Sequence, residues 1–192
     1  GASTTLEVQV QDAGGIVDGS DNTTQITFTP TSQGQITGVV TGTNISGTGA
    51  VGNPRVVQVA AGVAKITIEN STIETFEIAT TNSAGLTNPA NDSITTSAGA
   101  ATKVVFTQDP TSAVAGVDFS PTITAEIQDA YNNVVNSTAN VVLSINTGTG
   151  TLNGTTTVAA VAGVATFNNI NINEAGNFTL DVDSTGLATG TS

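Results

Sequence analysis

The chain has 192 residues, a net charge of −12 and only three basic side chains, Arg55, Lys65 and Lys103. That balance argues against nucleic acid or an anionic membrane as partner, because both need clustered Lys and Arg. His and Cys are absent, which removes the common catalytic triads, thiol nucleophiles and zinc sites and points away from an enzyme.

Leu6, Val8 and Val10 alternate with Glu7, Gln9 and Gln11, the period of a strand with one buried face. The turn Asp12-Ala13-Gly14-Gly15-Ile16-Val17 follows and wants a residue tolerant of positive φ. Ile26 and Phe28 make a second strand, which Pro30 ends. Gln35–Val40 is a weak strand, and 42–55 reads as a loop rich in Gly, Thr and Asn. Val56–Ala60 and Val63–Ile68 flank Ala61-Gly62 and predict a hairpin. Thr75–Thr80 buries Phe76 and Ile78, and Ser93–Ser97 is a short strand before the boundary at Ala98-Gly99-Ala100-Ala101.

The second half opens with Lys103–Thr107 and a turn-rich stretch to Pro121. Ile123, Ala125 and Ile127 then alternate with polar residues and lead into Asp129-Ala130-Tyr131-Asn132-Asn133-Val134. Strands follow at Val141–Ile145, Val158–Val161, Gly163–Phe167 and Ile170–Ile172, with Phe178, Leu180 and Val182 alternating in the last. No 3.6-residue period is sustained, so helix is expected to be negligible, and no run approaches the ~18 apolar residues of a membrane helix.

The two halves are copies. Gln11-Asp12-Ala13 recurs as Gln128-Asp129-Ala130, 117 positions later. Gly62-Val63-Ala64 recurs as Gly163-Val164-Ala165, Phe76-Glu77-Ile78 as Phe178-Thr179-Leu180, and Gly85-Leu86 as Gly186-Leu187. The expected organisation is therefore two domains, 1–99 and 100–192, each of a size that buries a core without metal or disulfide. The first carries an insert of about 15 residues near 39–55.

A strand, an Asp-Ala-x-Asn/Gly-x-Val turn, Gly-Val-Ala-Thr-Phe and Ala-Gly-x-Phe-Thr-Leu together resemble the bacterial immunoglobulin-like repeats of invasin/intimin-type adhesins and other large surface proteins. The carriers here are Asp129–Val134, Gly163–Phe167 and Ala175–Leu180. The resemblance implies an all-β fold of two tandem Ig-like Greek-key sandwiches, an extracellular, cell-surface location, and a role as spacer, adhesive tip or lattice-forming module.

In such repeats a first strand precedes the turn-bearing one. The second domain has it at Lys103–Thr107, whereas the first domain begins with the turn-bearing strand. Conversely, only Ala188–Ser192 follows Gly186-Leu187, too little to complete a closing strand. With no Met and a Gly1-Ala2-Ser3 start, the chain reads as a processed product or an excised fragment. Unpaired sheet edges template association. Leu6, Val8, Val10, Phe178, Leu180 and Val182 are thus candidate partner-binding positions. The implied partner is another copy, head to tail, or a neighbouring repeat of a longer chain. The expected function is an extracellular structural module of a filament, surface layer or adhesin stalk. The alternative is an adhesin recognising a glycan or protein through the 39–55 insert, where Thr43, Asn44 and Asn53 are the candidate contacts.

No cofactor is expected, calcium being the one small-ligand candidate. Asp12, Asp18, Asp21 and Asn22 crowd one loop and offer hard oxygen ligands, without EF-hand spacing; the competing role is that of turn formers. Lys65 and Lys103 raise an isopeptide link to Asn, which needs a buried Lys and an acid together; Lys65 alternates outward. Tyr131 sits in a turn and is expected to cap the edge of the core.

Overall fold

The computed structural model describes residues 3–50, 52–110 and 112–192. Val51 in the insert and Thr111 before Pro121 lie outside them, as do Gly1 and Ala2. The described residues form strands, turns and bends with no helix. The chain divides into two compact units, Gly1–Ser97 and Ala98–Ser192.

Unit 1 contains β1 (Thr4–Gln9), β2 (Gln25–Pro30), β3 (Gln35–Thr41), β4 (Thr43–Ser46), β5 (Arg55–Gln58), β6 (Val63–Glu69), β7 (Thr75–Asn82) and β8 (Asp92–Thr95). One sheet runs β1-β6-β3 and the other β4-β5-β2-β7-β8. Strict alternation buries Ile26 and Phe28 from β2, Ala64, Ile66 and Ile68 from β6, and Phe76 and Ile78 from β7 in one core. Period-two sequence thus becomes two inner faces of a sandwich.

Unit 2 contains β9 (Lys103–Gln108), β10 (Ile123–Gln128), β11 (Asn140–Thr147), β12 (Leu152–Asn153), β13 (Thr157–Ala159), β14 (Val164–Phe167), β15 (Asn171–Ile172), β16 (Thr179–Asp183) and β17 (Gly190–Thr191). Its sheets run β14-β10-β9 and β13-β11-β16-β17, with a small β12-β15 pair. Ile123, Ile127, Leu143, Phe167 and Leu180 meet in its core.

The structure redraws three expectations. Ala61-Gly62 does make a tight turn, with φ of 50° and 77°, but no hairpin ladder grows from it. A single bridge, Ala60↔Val63, closes the turn, and β5 and β6 then enter opposite sheets. Val57 and Ala64 must both face the core, and only a crossing between sheets allows that. Ala162-Gly163 repeats the arrangement between β13 and β14. Second, the insert is not a plain loop. Thr43–Ser46 is a strand on β5, and Gln35–Thr41 pairs with β6. Third, Gly190–Thr191 does close unit 2, pairing with Asp181 and Val182. Leu180 and Val182, expected at an open edge, therefore lie in an inner strand at 2% and 0% exposure.

Candidate functional site

The duplicated turn positions the site. Asp12 Oδ1 accepts the N–H groups of Gly14 (2.8 Å) and Ile16 (3.0 Å). Asp129 Oδ1 accepts those of Tyr131 (2.8 Å) and Asn133 (2.9 Å). Each carboxylate nucleates its own reversal, an Asx turn, and Gly15 (φ 79°) and Asn132 (φ 70°) take the left-handed position that the turn requires. β1 and β10 are thereby held in equivalent places: Leu6↔Ile66 and Val8↔Ala64 in unit 1 match Ile123↔Phe167 and Ala125↔Ala165 in unit 2.

The units differ on the other side of that strand. In unit 2, β9 pairs antiparallel with β10. In unit 1, β1 is the last strand of its sheet among the described residues. Beside it runs a groove of about 680 Å³ whose floor and walls include Val8, Val10, Ile26, Thr80, Leu86 and Thr87. The consequences appear in the side chains. Ile123 and Ala125 are fully buried, while their counterparts Leu6 and Val8 are half-buried. Leu187 packs against the core of unit 2, while Leu86 is 44% exposed. The Thr80 hydroxyl is buried without a hydrogen-bond partner, at the position that Val182 fills in unit 2.

A smaller groove of about 270 Å³ in unit 2 is lined by Phe119, Ile172, Phe178 and Leu180. It lies where the second half of a closing strand would run. In unit 1, β8 pairs with Thr75–Ile78 and Ile94 packs on the core. In unit 2, β17 reaches Asp181 and Val182, and the Ser192 N–H donates to the Leu180 carbonyl at 2.9 Å. Of the partner-binding candidates, Phe178, half-buried just before β16, and Leu180, buried within it, line this groove.

The other candidates are placed as follows. The Asp18 carboxylate accepts from the N–H and hydroxyl of Ser20, the Asp21 carboxylate from the N–H groups of Thr23 and Thr24, and Asn22 Oδ1 from the Ala61 N–H at 2.9 Å. Among the described residues no three acidic side chains gather into a cation-binding group. Thr43 and Asn44 are exposed on the edge strand β4, and Asn53 is exposed in the turn before β5. Arg55 ties that turn down, donating to the carbonyls of Thr48 (2.6 Å) and Ile36 (3.1 Å). Lys65 pairs with Glu7 at 3.4 Å, and Lys103 donates to Asn132 Oδ1. Both lysine contacts are open to solvent, unlike the buried setting an isopeptide link requires. Tyr131 is 54% exposed.

Burial would raise the Asp129 carboxyl pKa, but hydrogen bonds from the Asn133 side chain and the N–H groups of Gly99, Asn133 and Tyr131 outweigh it and hold the group well below its ordinary range. Asp21 is lowered to about 2 by hydrogen bonds from Thr24 and Thr23.

Sequence reasoning located β1 as the open edge but missed Thr80, Leu86 and Thr87. Aligning Thr80 with Val182 would have exposed them: a polar residue stands where the other copy has a core position.

No family model and no curated protein matches this chain. Among solved structures it is similar to a β-glycosidase from Bacteroides vulgatus (14% identity, TM-score 0.44), covering 99% of this chain and 24% of that one. It is also similar to a β-glucuronidase from Parabacteroides merdae (14%, 0.39), covering 90% and 21%. Against domains 5–6 of the S-layer protein SbsC the values are 17% and 0.34, covering 100% and 88%. The chain thus spans about a quarter of the length of the glycosidases it matches. Likenesses of this strength assign no activity.

Proposed function

We propose that this chain is an extracellular structural module, continued at unit 1 by an incoming β-strand within a linear, head-to-tail assembly at a cell surface. One observation carries the reading: the edge of β1 borders an open groove with Val8, Val10 and Ile26 among its lining, whereas the equivalent edge of β10 is covered by β9. Open sheet edges recruit strands, because main-chain donors and acceptors on the edge have no partner until one arrives. A contact between two different surfaces does not close on itself, so repetition yields a line rather than a ring when the rotation does not close. The acidic, Cys-free, Thr- and Asn-rich composition suits such a setting.

Electron microscopy of the material in its native source tests this. Rods, fibres or a lattice with a repeat matching these two units support it. Isolated monodisperse subunits whose β1 edge stays open at high concentration would overturn it.

A further inference from the structure

We infer that the groove of unit 1 is selective for one kind of strand: an extended segment antiparallel to β1, with apolar residues at two alternate positions opposite Val10 and Val8. This deepens the assembly reading above and rests on it for its biological setting, but it is carried by the internal duplication. Unit 2 displays the filled form of the same site. There Val104 pairs with Ile127 and is fully buried, and Phe106 pairs with Ala125 and packs on the core. Shifted by the 117 positions that separate the copies, those two partners are Val10 and Val8.

The filled site also fixes the flanks. The Val104 N–H donates to the Ala188 carbonyl (3.0 Å), and the Ala188 N–H donates to the Thr102 carbonyl (2.9 Å). β9 is therefore gripped between an antiparallel ladder and one parallel bridge, Lys103↔Ala188. The counterpart of Ala188 is Thr87, which lines the empty groove. Further upstream the Gly99 N–H donates to Asp129 Oδ2 at 2.9 Å; the counterpart acceptor is Asp12, exposed in unit 1. The strand that fits thus extends past the apolar pair toward its N-terminal side. It presents a main-chain N–H to Asp12, exchanges main-chain bonds with Thr87, and places its two apolar side chains over Val10 and Val8. The side chains beside the first of them face outward and need not be apolar, as Lys103 and Val105, both part-exposed, flank Val104 in β9. The occupant is an extended peptide of β9 chemistry, not a folded domain surface or a glycan, because the groove's unmet groups are a row of backbone donors and acceptors above an apolar floor.

The probe is a synthetic peptide with the sequence of residues 98–108, titrated into the full chain and followed by amide NMR. The expected result is saturable binding that shifts Glu7–Asp12 and Thr87, slows exchange of the Glu7 and Gln9 amides, and leaves Thr124 and Glu126 unchanged. A peptide carrying Val104→Lys and Phe106→Lys is expected not to bind. Thr80→Val in the protein removes a lone buried hydroxyl and makes the wall match unit 2; it is expected to tighten binding roughly fivefold. Equal binding of both peptides, or entry of the peptide into unit 2 in place of β9, would overturn the inference. Self-association of the chain that saturating peptide does not disperse would also overturn it while leaving the assembly reading intact. Peptide binding to a chain that never assembles would do the reverse.

Discussion

Asp12 and Asp129 hold the same turn in the two copies, but Asp129 also takes hydrogen bonds from the Gly99 N–H and the Asn133 side chain. The Gly99 N–H reaches Asp129 Oδ2 at 2.9 Å, whereas among the described residues no N–H reaches Asp12 Oδ2. Asp129 is consequently 1% exposed and Asp12 is open to solvent. One of the two donors that Asp12 lacks, Gly99, belongs to the segment that leads into β9, so that bond records locally what the groove records along a whole strand.

Removing the two carboxylates is therefore expected to have unequal effects. Asp129→Ala leaves three part-buried N–H groups, those of Gly99, Tyr131 and Asn133, without their acceptor and costs unit 2 about 3 kcal/mol. Asp12→Ala leaves its two N–H groups to water and costs unit 1 about 1 kcal/mol. Urea unfolding followed by resolved NMR signals from each unit measures both. Equal costs would mean that the bonds from Gly99 and the Asn133 side chain contribute nothing to the turn.

Acid is expected to weaken both units through these turns. A carboxyl whose folded pKa lies below its unfolded value contributes stability that is complete above the unfolded value and is lost as pH falls through the folded one. For Asp21, lowered from 3.8 to about 2, that window runs from about pH 4 down to about pH 2. Asp129 acts in the same direction in unit 2. Asp21→Asn keeps an acceptor oxygen but removes the titration, so unit 1 of that variant is expected to show a shallower loss across this window. An unchanged acid limb would place the titration elsewhere.

The sheet-crossing turns carry a sharper constraint than the Asp turns. A Cβ on Gly62 would stand 2.4 Å from the Asp18 carbonyl oxygen, and one on Gly163 would stand 2.2 Å from that of Val135, both at positive φ. Gly62→Ala and Gly163→Ala each combine strain with overlap against backbone and are expected to cost about 2–3 kcal/mol. Gly15 has φ 79° but open space around it, so Gly15→Ala is expected to cost only about 1 kcal/mol. Thermal unfolding of the three variants checks the order.

Much of this is legible in the amino-acid sequence itself. Alternation at Ile26–Phe28, Ala64–Ile68 and Ile123–Ile127 fixes strands and their inward faces, and the repeated Asp-Ala turn marks the copies. What failed did so for local reasons. Ala61-Gly62 looks like a hairpin because a tight turn between apolar runs has the same signature whether the strands pair or part; only the demand that Val57 and Ala64 share a core separates them. Gly190–Thr191 is too short to carry a period, so β17 was invisible. The insert's Thr43–Ser46 strand is exposed throughout and shows no alternation of burial. The groove's far wall was missed because Thr80 reads as an ordinary polar strand residue until it is set beside Val182.

Calcium is expected to leave the chain's stability unchanged. One oxygen of each carboxylate, Oδ1 of Asp12, Asp18 and Asp21, is engaged with the N–H groups of its own turn, and among the described residues no three acidic side chains gather. A melting temperature that rises with millimolar calcium and falls back with chelator would show that these turns open to a cation.

The central claim concerns one edge of one strand. The Val10 N–H donates inward to Gly62, as that of Ile127 does to Gly163, both at 2.8 Å; alternation along the strand then turns the amides of Glu7 and Gln9 toward the groove. Residue-resolved amide exchange on the dilute chain compares them with Thr124 and Glu126, their counterparts facing β9. The expected result is fast exchange at Glu7 and Gln9 and strong protection at Thr124 and Glu126. Equal protection at all four in the isolated, dilute chain would contradict the claim that unit 1 awaits a strand.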